Sequence, residues 1–286
     1  KNLGPEHPSV ALQLNNLAYL YFNQGRYSEA EPLYKRSLAI REKALGTEHP
    51  DVAISLNDLA LLYVEKGSYA EAEPLYKRAL VIKEKILGPE HPEVALGLFN
   101  LSSLYNKQGL YTEAETIYKR TLKISEKALG PEHPDVALSL NNLGLIYNKQ
   151  GRYAEALPLF KRSIRIFKKA FGPEHPNVAL GLSNLALPYT NQGNFEEALT
   201  AARSSTGIYL RRFSEGFGEQ TKGTRSEQQK ISGSLLLHIF ILARSMQYAS
   251  GITQKSMVSE GFEIAQFATL TKTSSTLARL GARFAA

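Results

Sequence analysis

Five histidines stand 42 residues apart, at His7, His49, His91, His133 and His175, and each directly follows a glutamate. Two chemistries would use such residues, metal ligation and acid–base catalysis. Ligation fails on distance. Helical units stack about 10 Å apart, and ligands of one ion must lie about 2 Å from it, so histidines of neighbouring units cannot share a metal. Catalysis fails on company, because the Glu-His pair recurs five times with no nucleophile or oxyanion donor at fixed spacing. The histidines therefore read as turn residues packed beside the prolines that follow them, and no metal or other cofactor is expected.

Other reactive groups are missing or badly spaced. The chain has no cysteine, which removes thiol nucleophiles, disulfides and Cys-ligated zinc. Gly216-Phe217-Gly218 and Lys222-Gly223-Thr224 lack the spacing of a phosphate-binding loop. The chain is not expected to be an enzyme. What does repeat is polar and uncharged. Asn15, Asn57 and Asn141 share one register, with Phe99 and Ser183 at its other places, and Asn16, Asp58, Asn100, Asn142 and Asn184 share the next. A carboxamide both donates and accepts, so amides stacked at one per unit suit the backbone of an extended peptide of any sequence.

The elements that position these residues follow from the same period. Gly4-Pro5-Glu6-His7-Pro8 recurs from Gly46, Gly88, Gly130 and Gly172, and a period between 20 and 50 residues signals a solenoid. Within a unit, Val10, Leu14, Leu17, Ala18 and Tyr21 form one pattern, and Tyr27, Ala30, Tyr34 and Leu38 form a second. Spacings of three and four predict a helix pair, the second helix running from about residue 27 to 45. Gly25 and its equivalents end the first helix, and the second proline of each Gly-Pro-Glu-His-Pro element opens the next unit.

Leu14, Leu17, Ala18, Tyr21, Ala30, Tyr34 and Ser37 resemble the signature of the tetratricopeptide repeat, in the 42-residue form of kinesin light chains and many bacterial signalling proteins. Leucine replaces the signature Trp throughout (Leu14, Leu56, Leu98, Leu140, Leu182). The resemblance implies an all-α, right-handed α-solenoid of tetratricopeptide helix pairs with extra C-terminal helices. Four full units run from residue 9 to about 172, and a fifth loses its aromatic anchor at Ala202. The resemblance also implies that the far side of each first helix lines a concave groove. Asn15, Asn57 and Asn141 are expected there. Asn16, Asp58, Asn100, Asn142 and Asn184 either join them or hold a loop or the neighbouring helix. Tyr19, Phe22, Asn106, Lys107, Asn148 and Lys149 would give specificity, for a peptide of apolar or acidic character.

The 286 residues carry 34 Lys and Arg against 27 Asp and Glu. A net +7 raises a polyanion partner, but the charge is local: residues 1–199 hold 23 basic and 22 acidic side chains, and residues 200–286 hold 11 and 5. The Lys-Arg pairs of the second helices (Lys35-Arg36, Lys77-Arg78, Lys119-Arg120, Lys161-Arg162) read as a solvated face balanced by glutamates one turn earlier. Nucleic acid is not expected as a partner. The apolar run at residues 235–243 is far short of the roughly 20 residues that span a bilayer, so no membrane partner and a cytoplasmic location are expected.

Three parts are expected: the array over 1–213, a Gly- and charge-rich linker over 214–226, and a helical segment over 227–286. Helices are predicted over about 227–249, 256–270 and 274–284. Residues 260–266 and 274–286 resemble the helical region that joins tetratricopeptide arrays to CHAT domains, the caspase-like peptidases of bacteria. That resemblance implies a chain cut from a longer protein, with a peptidase domain after Ala286. The basic segment would then dock to that domain or to an acidic surface. The functional expectation is a protein-interaction scaffold, the regulatory part of a larger bacterial protein. The alternative is a self-associating or autoinhibitory spacer.

Overall fold

The computed structural model describes residues 4–214, 225–249 and 251–270. Among them are twelve helices and no strand: α1 (Pro8–Asn23), α2 (Tyr27–Leu45), α3 (Pro50–Lys66), α4 (Tyr69–Leu87), α5 (Pro92–Gln108), α6 (Tyr111–Leu129), α7 (Pro134–Lys149), α8 (Tyr153–Phe171), α9 (Pro176–Asn191), α10 (Phe195–Ser214), α11 (Arg225–Met246) and α12 (Gly251–Leu270). This is the all-α architecture of repeated helix pairs that the period predicts, and α2 spans the residues expected of it. The chain divides into two compact units, Lys1–Asn142 and Leu143–Ala286, so α7 contributes to both.

Each pair starts where it does because of the Gly-Pro-Glu-His-Pro element. Gly46 closes α2 with φ 89° and ψ 156°, a conformation that a Cβ excludes. His49 then lies extended, and its Nδ1 accepts the Asp51 N–H at 3.1 Å. His7, His91, His133 and His175 accept in the same way at 3.1 to 3.2 Å. The histidine is thus a helix N-cap that satisfies one of the four free N–H groups of the first turn. Reading it only as a turn residue beside proline missed this role. Proline follows at the first helical position, where its missing N–H leaves no bond unmade.

Packing uses one large ring per pair. Tyr34, Tyr76, Tyr118 and Phe160 are buried at equivalent positions of α2, α4, α6 and α8. In the first unit Tyr34 packs with Ala18, Ala30, Leu59 and Leu62. In the second, Phe160 lies against Gly144, where a Cβ would come within 2.9 Å of the ring. Among the described residues the Tyr118 hydroxyl makes no hydrogen bond of good geometry, with Ser103 the one polar side chain that acts on it, although an unpaired buried donor costs about 1–3 kcal/mol. Tyr118→Phe should therefore keep the unfolding free energy or raise it by about 1 kcal/mol in a denaturant titration. A loss above about 1 kcal/mol would contradict this assignment.

Three of the four second helices with Lys-Arg pairs balance the lysine as expected, whereas in α8 Leu157 stands in place of the glutamate and Lys161 lies over the Tyr189 ring at 5.8 Å. Lys35 pairs with Glu31 at 2.7 Å, Lys77 with Glu73 at 2.7 Å, and Lys119 with Glu115 at 2.6 Å, each one turn apart. Such exposed pairs contribute only a few tenths of a kcal/mol each.

Beyond the repeats, the structure departs from expectation. Ala202, which seemed to mark a decayed repeat, is buried in a cluster with Leu235, Ile239 and Leu242 of α11 and Ile264 and Ala265 of α12. The small side chain replaces an aromatic anchor where another helix comes in. The described part of the C-terminal segment, α11 and α12, thus buries apolar side chains on α10 within its own unit. Helix α10 extends to Ser214, and α12 begins at Gly251 rather than near 256. The central part of the expected linker, residues 215–224, and the helix expected over 274–284 lie outside the described residues. Of the segment resembling CHAT-linked helices, residues 260–266 fall in α12.

Candidate functional site

The carboxamide registers come together, but largely with each other. Asn15 Nδ2 donates to Asp58 Oδ2 at 2.9 Å, and Asn100 Nδ2 donates to Asn57 Oδ1 at 2.8 Å. Both pairs are 43 residues apart, so the first register of one repeat meets the second register of the next. Burial pushes the Asp58 carboxyl up, an effect that the Asn15 and Asn57 amides only partly offset. In the second unit Asn191 Nδ2 donates to Asn148 Oδ1 at 3.3 Å.

This arrangement corrects part of the expected groove. Asn15, Asn141 and Asn148 are buried, and Asn142 turns its amide back to the Leu138 carbonyl at 2.9 Å. Asn57, Asp58, Asn100, Asn106 and Asn184 are half-buried. Phe22 packs on Tyr27, with ring centroids 5.6 Å apart, beside the core of the first pair. The physical reason is that a wheel drawn for one helix omits the helix of the neighbouring repeat, which takes up the amides. Asn16, Tyr19, Lys107 and Lys149 do reach solvent, and Lys107 bonds Glu65 of the preceding repeat at 3.2 Å.

What the first unit exposes is apolar. Leu12 is 49% exposed, Ile54 46% and Leu96 53%, one on each of α1, α3 and α5 and 42 residues apart. Tyr19 (57%) and Leu61 (37%) lie seven residues further along their helices, on the same face. Between the two apolar rows run Asn16, Asp58 and Asn100. Sequence reasoning missed Leu12, Ile54, Leu61 and Leu96. The available signal was an apolar residue recurring every 42 positions on the helical face opposite the packing stripe.

A second cluster sits in the other unit. His238 of α11, 2% exposed, has Nδ1 3.0 Å from Thr206 Oγ1 and Nε2 3.1 Å from Glu260 Oε1, the latter off the hydrogen-bond direction. Arg203 grips the same carboxylate with two bonds of 2.8 Å. His238 is the sole histidine outside the 42-residue register, and that irregularity was its signal. Burial alone would raise the Glu260 carboxyl, but Arg203 and His238 outweigh it and hold the group at about 2. A carboxyl held below its unfolded value stabilises the fold above that unfolded value, near 4.3, and stops doing so as pH falls through about 2. The stability difference between the parent chain and Glu260→Gln should thus be constant above pH 5 and shrink toward pH 2. A difference independent of pH over that window would show that Glu260 is not held ionised.

Among the described residues no group of three or more His, Cys, Asp or Glu gathers as a metal site, and no helix is long and apolar enough to cross a membrane.

Comparison with known proteins agrees with this architecture. The model of the tetratricopeptide repeat matches residues 8–85, 65–127, 93–169 and 135–211. A crystal structure of a Podosopora anserina protein, named for kinesin light chain and for nearly identical TPR-like repeats, is 30% identical. That match covers 72% of this chain and 97% of the other, with a TM-score of 0.62. BtubC (BKLC) from P. vanneervenii is 18% identical over 86% of this chain and 92% of its own, at TM-score 0.65. The apo form of RapI is 17% identical over 96% and 97%, at TM-score 0.62, and like BtubC it shows the fold alone. No curated protein matches the chain. With repeat signatures over residues 8–211, capped helix pairs and kinesin-light-chain-like neighbours, this chain belongs to the tetratricopeptide repeat family.

Proposed function

We propose that the exposed face of α1, α3 and α5 is a docking surface for an extended segment of a partner protein, and that the chain acts as an interaction scaffold without catalytic activity. The observation that carries this is the solvent-exposed row Leu12, Ile54 and Leu96. Isolated exposed leucines are ordinary surface, but a row flanked by Tyr19 and Leu61 is an apolar stripe of the kind that partners cover.

The spacing defines the ligand. Helices α1 and α3 touch through Asn15 and Asp58, so they lie one packing distance apart, about 8–10 Å. A polyproline-II strand rises about 3.1 Å per residue and returns a side chain to the same side every third residue, near 9.3 Å. The partner segment therefore carries apolar side chains at positions i, i+3 and i+6. The exposed Asn16 and the half-buried Asp58 and Asn100 face the backbone between them, three polar partners where a full ladder of amides was expected. The test is selection from a displayed pool of random peptides against the full chain, followed by titration of the winners. Enrichment of the three-residue apolar period supports the reading, and a pool with no binders, or with binders of helical period, refutes it.

A further inference from the structure

One register of the second helices is occupied differently in every repeat. Arg41, Lys83, Ser125, Phe167 and Tyr209 stand 42 residues apart. Arg41 of α2 is buried and reaches into the first turns of α3, where Nη1 donates to the Asp51 carbonyl at 3.0 Å and to Ser55 Oγ at 2.8 Å. Lys83 of α4 reaches α5 in the same way and pairs with Glu93 Oε2 at 2.8 Å. Phe167 and Tyr209 are buried bulk in the other unit. Ser125 of α6 alone is short.

The space that a longer side chain would fill is left open as a cavity of about 200 Å³ between α5, α6 and α7, lined by Leu96, Phe99, Ser125, Leu138, Ser139 and Asp135. The polar groups that Arg41 uses are present there too. Asp135 and Ser139 of α7 stand where Asp51 and Ser55 stand in α3, two pairs earlier, and Ser139 Oγ donates to the Asp135 carbonyl at 3.1 Å, which leaves its own lone pairs as acceptors. The Asp135 carboxylate is exposed, with His133 Nδ1 3.7 Å away, whereas that of Glu93, also on the lining, is already paired with Lys83.

We infer that this cavity is a receptor for one cationic side chain, an arginine or lysine of the partner segment, which takes the place that Arg41 and Lys83 fill from within. Its aliphatic stem lies against Leu96, Phe99 and Leu138, and its head meets the Asp135 carbonyl and carboxylate and Ser139 Oγ. Arg41 shows how a cation head uses such a site, because the N–H groups of its one nitrogen Nη1 reach the carbonyl and the hydroxyl together. The inference rests on the docking face proposed above, since Leu96 borders both. It assigns that face a polarity: the partner's basic residue falls at the α5–α7 end of the apolar row.

The test titrates the full chain with N-acetyl-arginine amide and, separately, with N-acetyl-norleucine amide, and follows the backbone amides by heteronuclear NMR. Arginine amide should shift Ser125 and residues 135–139 with millimolar saturation, and norleucine amide should bind at least tenfold more weakly. Ser125→Arg should abolish these shifts by filling the cavity, and Ser139→Ala, which keeps the packing, should weaken arginine amide at least threefold. Equal binding of the two amides, or shifts unaltered in Ser139→Ala, would overturn the assignment. If arginine amide does not bind while selected peptides still engage Ile54 and Leu61, the cavity proposal fails and the docking face stands. Arginine binding with no selectable peptide means the reverse.

Discussion

Replacing Phe160 by alanine should lower the unfolding free energy of the second unit by about 3–5 kcal/mol, the range for truncating a fully buried ring. Phe160 has no exposed surface, and the backbone of α7 lies directly on it at Gly144. Rigid neighbouring helices cannot close over the hole, so the cost includes a cavity as well as lost burial. Gly144 sharpens the prediction. An alanine there gains about 1 kcal/mol of helix propensity, but its Cβ would meet the ring at 2.9–3.1 Å, and overpacking costs about 1–3 kcal/mol. Gly144→Ala should therefore destabilise the parent chain and stabilise the Phe160→Ala variant. Additive effects in this double-mutant cycle would show that the two positions do not share one contact.

That contact illustrates what could be read in advance. The 42-residue period, the paired helices and the aromatic anchor were legible because they depend on side-chain type and spacing within one unit, and α2 matches its predicted limits. The histidine cap was not, because histidine is an uncommon cap and its role depends on the extended backbone that presents Nδ1 to the second N–H of the helix. The recurrence of the amides could be read from the sequence, but their partners could not be read from one helix. Asn15 finds Asp58 only when the next repeat is placed beside it. Ala202 misled for a similar reason, since a lost anchor and a docking site for another helix look alike until Leu235 and Ile239 are seen against it. The exposed leucines were hidden by their type, because Leu96 differs from buried Leu98 only in the direction of its side chain.

The second large effect concerns binding. Ile54→Glu combined with Leu96→Glu should weaken a selected peptide by at least thirtyfold in a calorimetric titration, because two apolar contacts are lost and two carboxylates would have to be desolvated under the ligand. Both side chains are about half exposed and neither belongs to a core cluster, so the midpoint of thermal unfolding should move by less than about 4 °C, the shift that 1 kcal/mol produces in a small domain. The same charges placed at Val81, 62% exposed on α4, and Ile86 should leave binding unchanged. Loss of affinity accompanied by a collapse in stability would point to unfolding rather than to a docking face.

Because the chain contains no cysteine, a single introduced thiol can report on one position without background. The most direct measurement of the central claim is photo-crosslinking of a selected peptide to a benzophenone carried at Leu61→Cys, compared with the same probe at Val81→Cys. The account predicts crosslinking at position 61, suppressed by excess unlabelled peptide, and none above background at position 81. Crosslinking at position 81 with none at 61 would contradict it, because the partner would then lie on the second helices rather than on the exposed face of the first.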